Sequence, residues 1–84
     1  MNLREAIEIV DRAADQTAHC SGAGANVVDA MRFLRDWGVE RETLIWFWKS
    51  LHDGNAIGRS QNASAARNRI HFLLRQNPTP RGRR

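Results

Sequence analysis

Apolar residues recur at the helical period in four separate stretches of this chain, and no stretch alternates apolar and polar residues as a half-buried strand does. In the first stretch, Leu3, Ala6, Val10 and Thr17 fall on one face, and the charged residues occupy the other. The chain has 84 residues, which is about one small domain. The pattern therefore predicts an all-α fold: a compact bundle of about four short helices.

Capping residues predict where these helices begin and end. Asn2, with Glu5 three positions later, is a typical N-terminal cap. The second stretch starts near Asn26 and ends at Gly38, and the third runs from about Glu40 to a left-handed cap at Gly54. We expect a loop over residues 54–59, after which Ser60 or Asn62 caps the fourth helix.

The C-terminal segment has a different composition from the rest. Residues 77–84 read NPTPRGRR, and their prolines and glycine prevent a helix from continuing. We expect a single helical domain over residues 1–76 and a flexible arginine-rich arm over residues 77–84.

Composition narrows the cellular setting and the chemistry. A single cysteine, Cys20, cannot form an internal disulfide, and together with three scattered histidines it has no metal-ligand spacing. No run of apolar residues is long enough to span a bilayer, and the acids in the first 15 residues are unlike a signal peptide. We expect a cytoplasmic protein that has no membrane association, metal or cofactor.

The charge is divided unevenly along the chain. Residues 1–58 hold all nine acids and six bases, whereas residues 59–84 hold seven arginines and no acid. The net charge of +4 therefore combines −3 in the first part with +7 in the second. This asymmetry indicates a polyanionic partner for the C-terminal third. A genome rich in G and C would also favour arginine over lysine, so composition leaves both explanations open.

The start of the fourth helix is chemically suited to a nucleic-acid groove, because amides match adenine edges and arginines match guanine or phosphate. Its position after another helix is the order of a helix-turn-helix, but the expected connection over residues 54–59 is longer than that motif's usual turn. Capping and solubility explain the same polar residues equally well. The predicted nucleic-acid-binding residues are Arg59, Gln61, Asn62, Ser64, Arg67, Asn68, Arg75, Arg81, Arg83 and Arg84.

Two aromatic residues lie off the apolar stripes of their helices. At 100° per residue, Trp46 faces away from the third helix's stripe, among Thr43, Lys49 and Ser50, and Phe72 lies opposite the fourth helix's stripe. Coverage by the same chain would explain them; otherwise they mark a homodimer or partner interface.

The leading hypothesis is a small, non-enzymatic regulatory protein, dimeric through Trp46, that binds nucleic acid with the fourth helix and the arm. The alternative is a compact inhibitor or adaptor of the phage or mobile-element type, which docks a host protein or ribonucleoprotein through Trp46 and Phe72. An enzyme ranks below both, because neighbours such as His19 and Cys20 on one helix rarely meet. Catalysis and a small-molecule substrate would require a polar pocket that holds a histidine and a carboxylate.

Overall fold

The computed structural model describes residues 1–17 and 24–76. In these two ranges the chain forms four helices and no strand: α1 (Leu3–Gln16), α2 (Ala25–Trp37), α3 (Arg41–Leu51) and α4 (Ala56–Gln76). The predicted all-α bundle is confirmed. The expected arm, which includes Arg81, Arg83 and Arg84, lies outside the described residues, as do His19 and Cys20.

Two predicted helix ends are formed by the residues expected. The Oδ1 atom of Asn2 accepts a hydrogen bond from the backbone N–H of Glu5 at 2.9 Å, which satisfies one of the free donors at the start of α1. Gly38 closes α2 with a φ of 113°, a left-handed conformation that favours glycine. The sequence therefore identified the start of α1 and the end of α2 correctly.

The predicted connection between α3 and α4 is wrong. Gly54 is not left-handed, and α3 ends at Leu51 with His52 as its cap. Asn55, rather than Ser60 or Asn62, begins α4: its Oδ1 accepts from the N–H groups of Ile57 at 2.9 Å and Gly58 at 3.1 Å. A helix tolerates a glycine in its first turn, so Gly58 does not mark a loop. The connection shrinks to residues 52–55.

The core is contributed by all four helices and by Val39 in the α2–α3 connection. Phe47 of α3 and Leu34 of α2 are fully buried at its centre. α3 packs most extensively on α4 and α2 on α1, whereas α2 and α3 touch each other little. This packing leaves a seam between α1 and α4 and a gap between α2 and α3.

α3 is buried over a wider arc than its apolar stripe predicts. Thr43 and Ser50, which the sequence places on the outer face with Trp46, are both 5% exposed. The hydroxyl of Ser50 donates to the backbone oxygen of Trp46 at 2.7 Å, which satisfies that polar group within the helix. Trp46 itself remains 40% exposed.

Across the described ranges, no helix combines the length and hydropathy that crossing a membrane requires.

Candidate nucleic-acid interface

Two polar side-chain pairs cross the seam between α1 and α4. His71 Nε2 lies 2.8 Å from Asp11 Oδ1, and Arg67 Nη1 lies 3.7 Å from Asp15 Oδ1. The two acids are four residues apart on α1, and Arg67 and His71 are four residues apart on α4, so each helix presents its two partners on one face. The residue numbers of successive partners rise along α1 and fall along α4, as they do when two helices run antiparallel. Both pairs therefore connect α1 and α4 in this antiparallel arrangement.

An open cavity of about 540 Å³ lies beside these pairs. It is lined by Asp11 from α1 and by five residues of α4, namely Arg67, Asn68, His71, Phe72 and Arg75. The residues from α4 span three successive turns, so the cavity follows the helix as a shallow groove. Four of these six residues were predicted from the sequence as binding or interface residues.

Phe72 forms an exposed aromatic surface on this groove. Its side chain is 45% exposed, and the guanidinium carbon of Arg69 lies 5.2 Å from the ring centroid. A cation within about 6 Å of an aromatic centroid is attracted to the ring face. Arg69 also approaches Glu40, with Nη2 3.6 Å from Oε1, and both side chains are about half exposed. The ring and the guanidinium therefore form a flat surface of mixed apolar and cationic character.

Arg67 is less exposed than Arg75, the other arginine that lines the groove. Its side chain is 28% exposed, and its Nη2 donates to Asn68 Oδ1 at 3.3 Å. Its Nε is buried and has no hydrogen-bond partner among the described residues. A guanidinium has five N–H donors, so Arg67 keeps donor capacity beyond its contacts with Asp15 and Asn68.

The other predicted binding residues separate into two groups. Gln61, Asn62, Asn68 and Arg75 are exposed, and Ser64 is half-buried. Arg59 is directed inward instead: Nε donates to the backbone oxygen of Thr17 at 2.7 Å, and Nη1 donates to that of Asp53 at 2.8 Å. Arg59 therefore binds two backbone oxygens of its own chain, one directly after α1 and one in the connection between α3 and α4.

Asp11 and His71 were not among the predicted site residues. The sequence placed Asp11 on the outer face of α1 and His71 at the edge of the polar face of α4. A residue at the edge of an apolar stripe faces a neighbouring helix rather than open solvent. The edge position of His71 was therefore the sequence feature that indicated a contact with another helix. Which neighbour each would meet depends on the antiparallel register, which hydrophobic periodicity does not encode.

Trp46 lies apart from this groove. It lines neither the α1–α4 cavity nor the apolar groove between α2 and α3. The exposure predicted for Trp46 and Phe72 is present, but neither of these two grooves is lined by both residues. Their role as an interface stays a prediction.

Within the described ranges, no three histidine, cysteine or acidic side chains lie close enough to share a metal ion. Comparisons of the chain with protein-family models, with curated proteins and with solved structures give no match.

Proposed function

We propose that this protein is a small, non-enzymatic regulator that binds nucleic acid through the outer face of α4 and the arginines that follow it, Arg81, Arg83 and Arg84. The observation that carries the proposal is the groove beside α4, where Arg67, Arg75, Asn68 and an exposed Phe72 come together. We place its action in the cytoplasm, as the single cysteine of the sequence favours.

The outer face of α4 supplies the three kinds of contact that nucleic acids require. Gln61, Ala65, Asn68, Phe72 and Arg75 follow one another at spacings of three and four residues, and all are exposed. This line covers about 21 Å of helix at the usual rise per residue. Amides hydrogen-bond to base edges, an exposed ring stacks on an unpaired base, and arginine contacts phosphate.

The electrostatics of α4 favour an anionic ligand. The helix contains four arginines and no acid, and Arg75 forms no ion pair with another described residue. Arg67 and Arg69 do meet acids, at 3.7 and 3.6 Å, but Asp15 is 75% exposed and Glu40 49% exposed. Ion pairs this exposed contribute little, so a phosphate can replace either carboxylate at small cost.

The pairing of His71 with Asp11 resembles the first two members of a catalytic triad, and it meets the condition under which an enzyme would be reconsidered. We assign it to helix packing. Nε2 is the nitrogen that contacts Asp11, which leaves Nδ1, the nitrogen nearer to the backbone, for any substrate. In a catalytic triad the carboxylate contacts Nδ1 and Nε2 faces the reacting group, so the orientation of this pair is the reverse. A cleavage assay on the bound RNA tests this assignment.

The alternative function, a compact inhibitor or adaptor for a host protein or ribonucleoprotein, is supported by the exposure of Trp46. Large aromatics are enriched at the centres of protein interfaces, and Trp46 is 40% exposed on α3. The same exposure suits a homodimer. A hydrophobic interface of either kind would depend much less on salt than phosphate contacts do.

The deciding experiment is fluorescence anisotropy of labelled duplex DNA and single-stranded RNA across a salt series. The variant Arg75→Gln removes one charge from the groove, and Arg12→Gln removes one from the exposed outer side of α1 as a matched control. We expect Arg75→Gln to weaken binding and to lower the salt slope by about one, and Arg12→Gln to change neither. A chain that stops at Gln76 measures the contribution of the arm.

Phe72→Ala separates the two kinds of nucleic acid. Stacking on one aromatic ring contributes about 1–3 kcal/mol per base, so this variant should weaken RNA binding by about fivefold or more and leave duplex binding nearly unchanged. No binding at low salt would reject the proposal, as would equal losses from Arg75→Gln and Arg12→Gln. Cleavage of the RNA by the wild type but not by His71→Gln would replace binding with catalysis.

A further inference from the structure

A second groove lies between α2 and α3, and it shares no lining residue with the groove beside α4. It is open and has a volume of about 240 Å³, and its apolar lining comprises Val28 and Met31 from α2 and Leu44, Ile45 and Trp48 from α3. Ile45 is 39% exposed, and Met31 and Trp48 are half-buried. These residues present a stripe at helical spacing on each of two helices that touch each other little. The groove therefore has the form of a seat for a third helix.

Four cations line the same groove: Arg32 and Arg35 from α2, and Arg41 and Lys49 from α3. None of them forms an ion pair or a side-chain hydrogen bond with another described residue. The groove has no acidic residue in its lining. An apolar floor with a rim of four unpaired positive charges is complementary to a ligand with one apolar face and acidic flanks.

The position of Arg41 supports a role in binding. It lies in the first turn of α3, where the helix dipole is positive and a cation is unfavourable. An acidic or neutral residue at this position would stabilise α3 more than an arginine does. A contact with an acidic partner accounts for the arginine.

From this complementarity we propose that the groove between α2 and α3 binds an acidic amphipathic helix of another protein. A helix presents apolar side chains at positions i, i+3, i+4 and i+7, which matches the spacing of the groove floor, while glutamates and aspartates beside that stripe reach the four cations. The floor follows α2 from Val28 to Arg35, a length of about 10 Å or two helical turns. The proposal concerns a surface separate from the face of α4.

A second copy of this chain does not supply such a helix. The large apolar side chains that are exposed among the described residues are Met1, Ile45, Trp46, Ile57 and Phe72. Met1 precedes the acidic helix α1, whose apolar face, including Ala6 and Val10, is already buried in the core of the same chain, and α4, which carries Ile57 and Phe72, has no acid. α3, which carries Ile45 and Trp46, has one acid, Glu42, and two cations, Arg41 and Lys49. The residues outside the described ranges contain no acid either. The acidic amphipathic helix must therefore come from a different protein.

The burial of the groove's apolar side chains distinguishes this ligand from an anionic membrane. Interfacial binding requires an apolar surface that projects far enough to enter the acyl chain boundary, as the apolar face of an amphipathic helix does. Met31, Leu44 and Trp48 are at least half-buried, so of these large apolar side chains only Ile45, at 39% exposed, is available for insertion into a bilayer.

The probe for the test is a fluorescein-labelled peptide of about 14 residues, with leucines at i, i+3, i+4 and i+7 and glutamates elsewhere, long enough to form a helix on binding. A peptide of the same composition, scrambled so that the leucines share no face, is the first control. A peptide with lysines in place of the glutamates is the second. Binding is followed by anisotropy and by shifts of backbone amide resonances in the full-length protein.

We expect the acidic peptide to bind and to shift resonances of Met31, Ile45 and Trp48, whereas the scrambled and lysine peptides bind at least tenfold more weakly. Arg41→Gln should weaken binding about tenfold, and Arg12→Gln on the outer side of α1 should not change it. Ile45→Ser should weaken binding similarly. Ile57→Ser, which alters a residue that is 71% exposed on α4, should have no effect.

Equal binding of the scrambled peptide, resonance shifts confined to α4, or no binding in the millimolar range would overturn the proposal. Tighter association with phosphatidylglycerol vesicles than with the acidic peptide, weakened by Arg41→Gln, would overturn it in favour of a membrane ligand. Displacement of the peptide by duplex DNA, abolished by Arg41→Gln, would assign the groove to nucleic acid instead. Because Arg75→Gln tests the face of α4, failure of either proposal leaves the other intact.

Discussion

The guanidinium of Arg59 holds the end of α1 by donating from Nε to the backbone oxygen of Thr17, 2.7 Å away and 42 positions earlier in the chain. The Nη1 atom of Arg59 donates to the backbone oxygen of Asp53 at 2.8 Å, in the connection between α3 and α4. Thr17 is fully buried, and its own hydroxyl donates to Ala14 at 2.6 Å. Arg59 thus donates to two backbone carbonyl groups, one at the end of α1 and one in the connection between α3 and α4.

Replacing Arg59 with lysine should destabilise the protein. A lysine ammonium is a single point charge on a flexible stem, and it cannot match the two directions that the planar guanidinium spans. We expect the free energy of unfolding to fall by about 1–3 kcal/mol, the usual consequence of leaving a partly buried acceptor unsatisfied. Urea denaturation measures this change. Arg12→Lys, at an exposed position, is the control and should stay within about 0.5 kcal/mol of wild type.

The glycines at positions 38 and 54 should respond oppositely to alanine. Gly38 has a φ of 113°, so alanine there is strained, and we expect a loss of about 1–2 kcal/mol. At Gly54, whose φ is not positive, an added Cβ would meet no atom within 4 Å. Gly54→Ala should be neutral or stabilising by up to about 1 kcal/mol, because it restricts the unfolded chain. Thermal or urea unfolding of the two variants compares them. A comparable loss at both positions would contradict the assignment of Gly38 as the only left-handed cap among the described glycines.

Periodicity predicted the fold well because burial in a small bundle follows the helical repeat. Ala63, Ala66, Ile70 and Leu73, which the sequence placed on the inner face of α4, are all buried. The start of α4 was predicted wrongly, because Gly54 and Gly58 resembled loop residues and Asn55 was not recognised as a cap. Local capping competes among several polar residues in this segment, and only the backbone geometry selects one of them.

The candidate sites were predicted less completely than the fold. Arg67, Asn68, Phe72 and Arg75 do line one cavity, because residues at spacings of three and four share a helix face. The contact between Asp11 and His71 joins residues 60 positions apart and depends on how α1 and α4 align. The basic groove between α2 and α3 was missed, because its cations come from the part of the chain whose net charge is negative. The net charge of a long stretch of sequence does not reveal the charge of one local surface within it.

The cap at Asn55 can be tested against the cap that the sequence favoured. Asn55→Ala removes an oxygen that accepts from two backbone N–H groups, and we expect a loss of about 1 kcal/mol. Ser60→Ala should change stability by less than about 0.5 kcal/mol, since Ser60 lies within α4 and does not cap it. Helix content and urea midpoints of the two variants provide the comparison. A larger loss from Ser60→Ala would restore the later start of the helix.

Trp46 and Phe47 are adjacent aromatics with opposite environments, and alanine at each should produce different failures. Phe47 is fully buried, so Phe47→Ala should cost about 3–5 kcal/mol and unfold much of the population. Trp46 is 40% exposed, so Trp46→Ala should leave the monomer folded and weaken self-association or partner binding instead. Urea denaturation gives the first quantity, and sedimentation velocity over a concentration series gives the second. A loss of stability from Trp46→Ala as large as that from Phe47→Ala would mean that the indole of Trp46 packs in the core. If the wild-type protein sediments as a monomer at every concentration, the homodimer hypothesis is rejected. Pull-down with Trp46→Ala as the control would then test for a different partner.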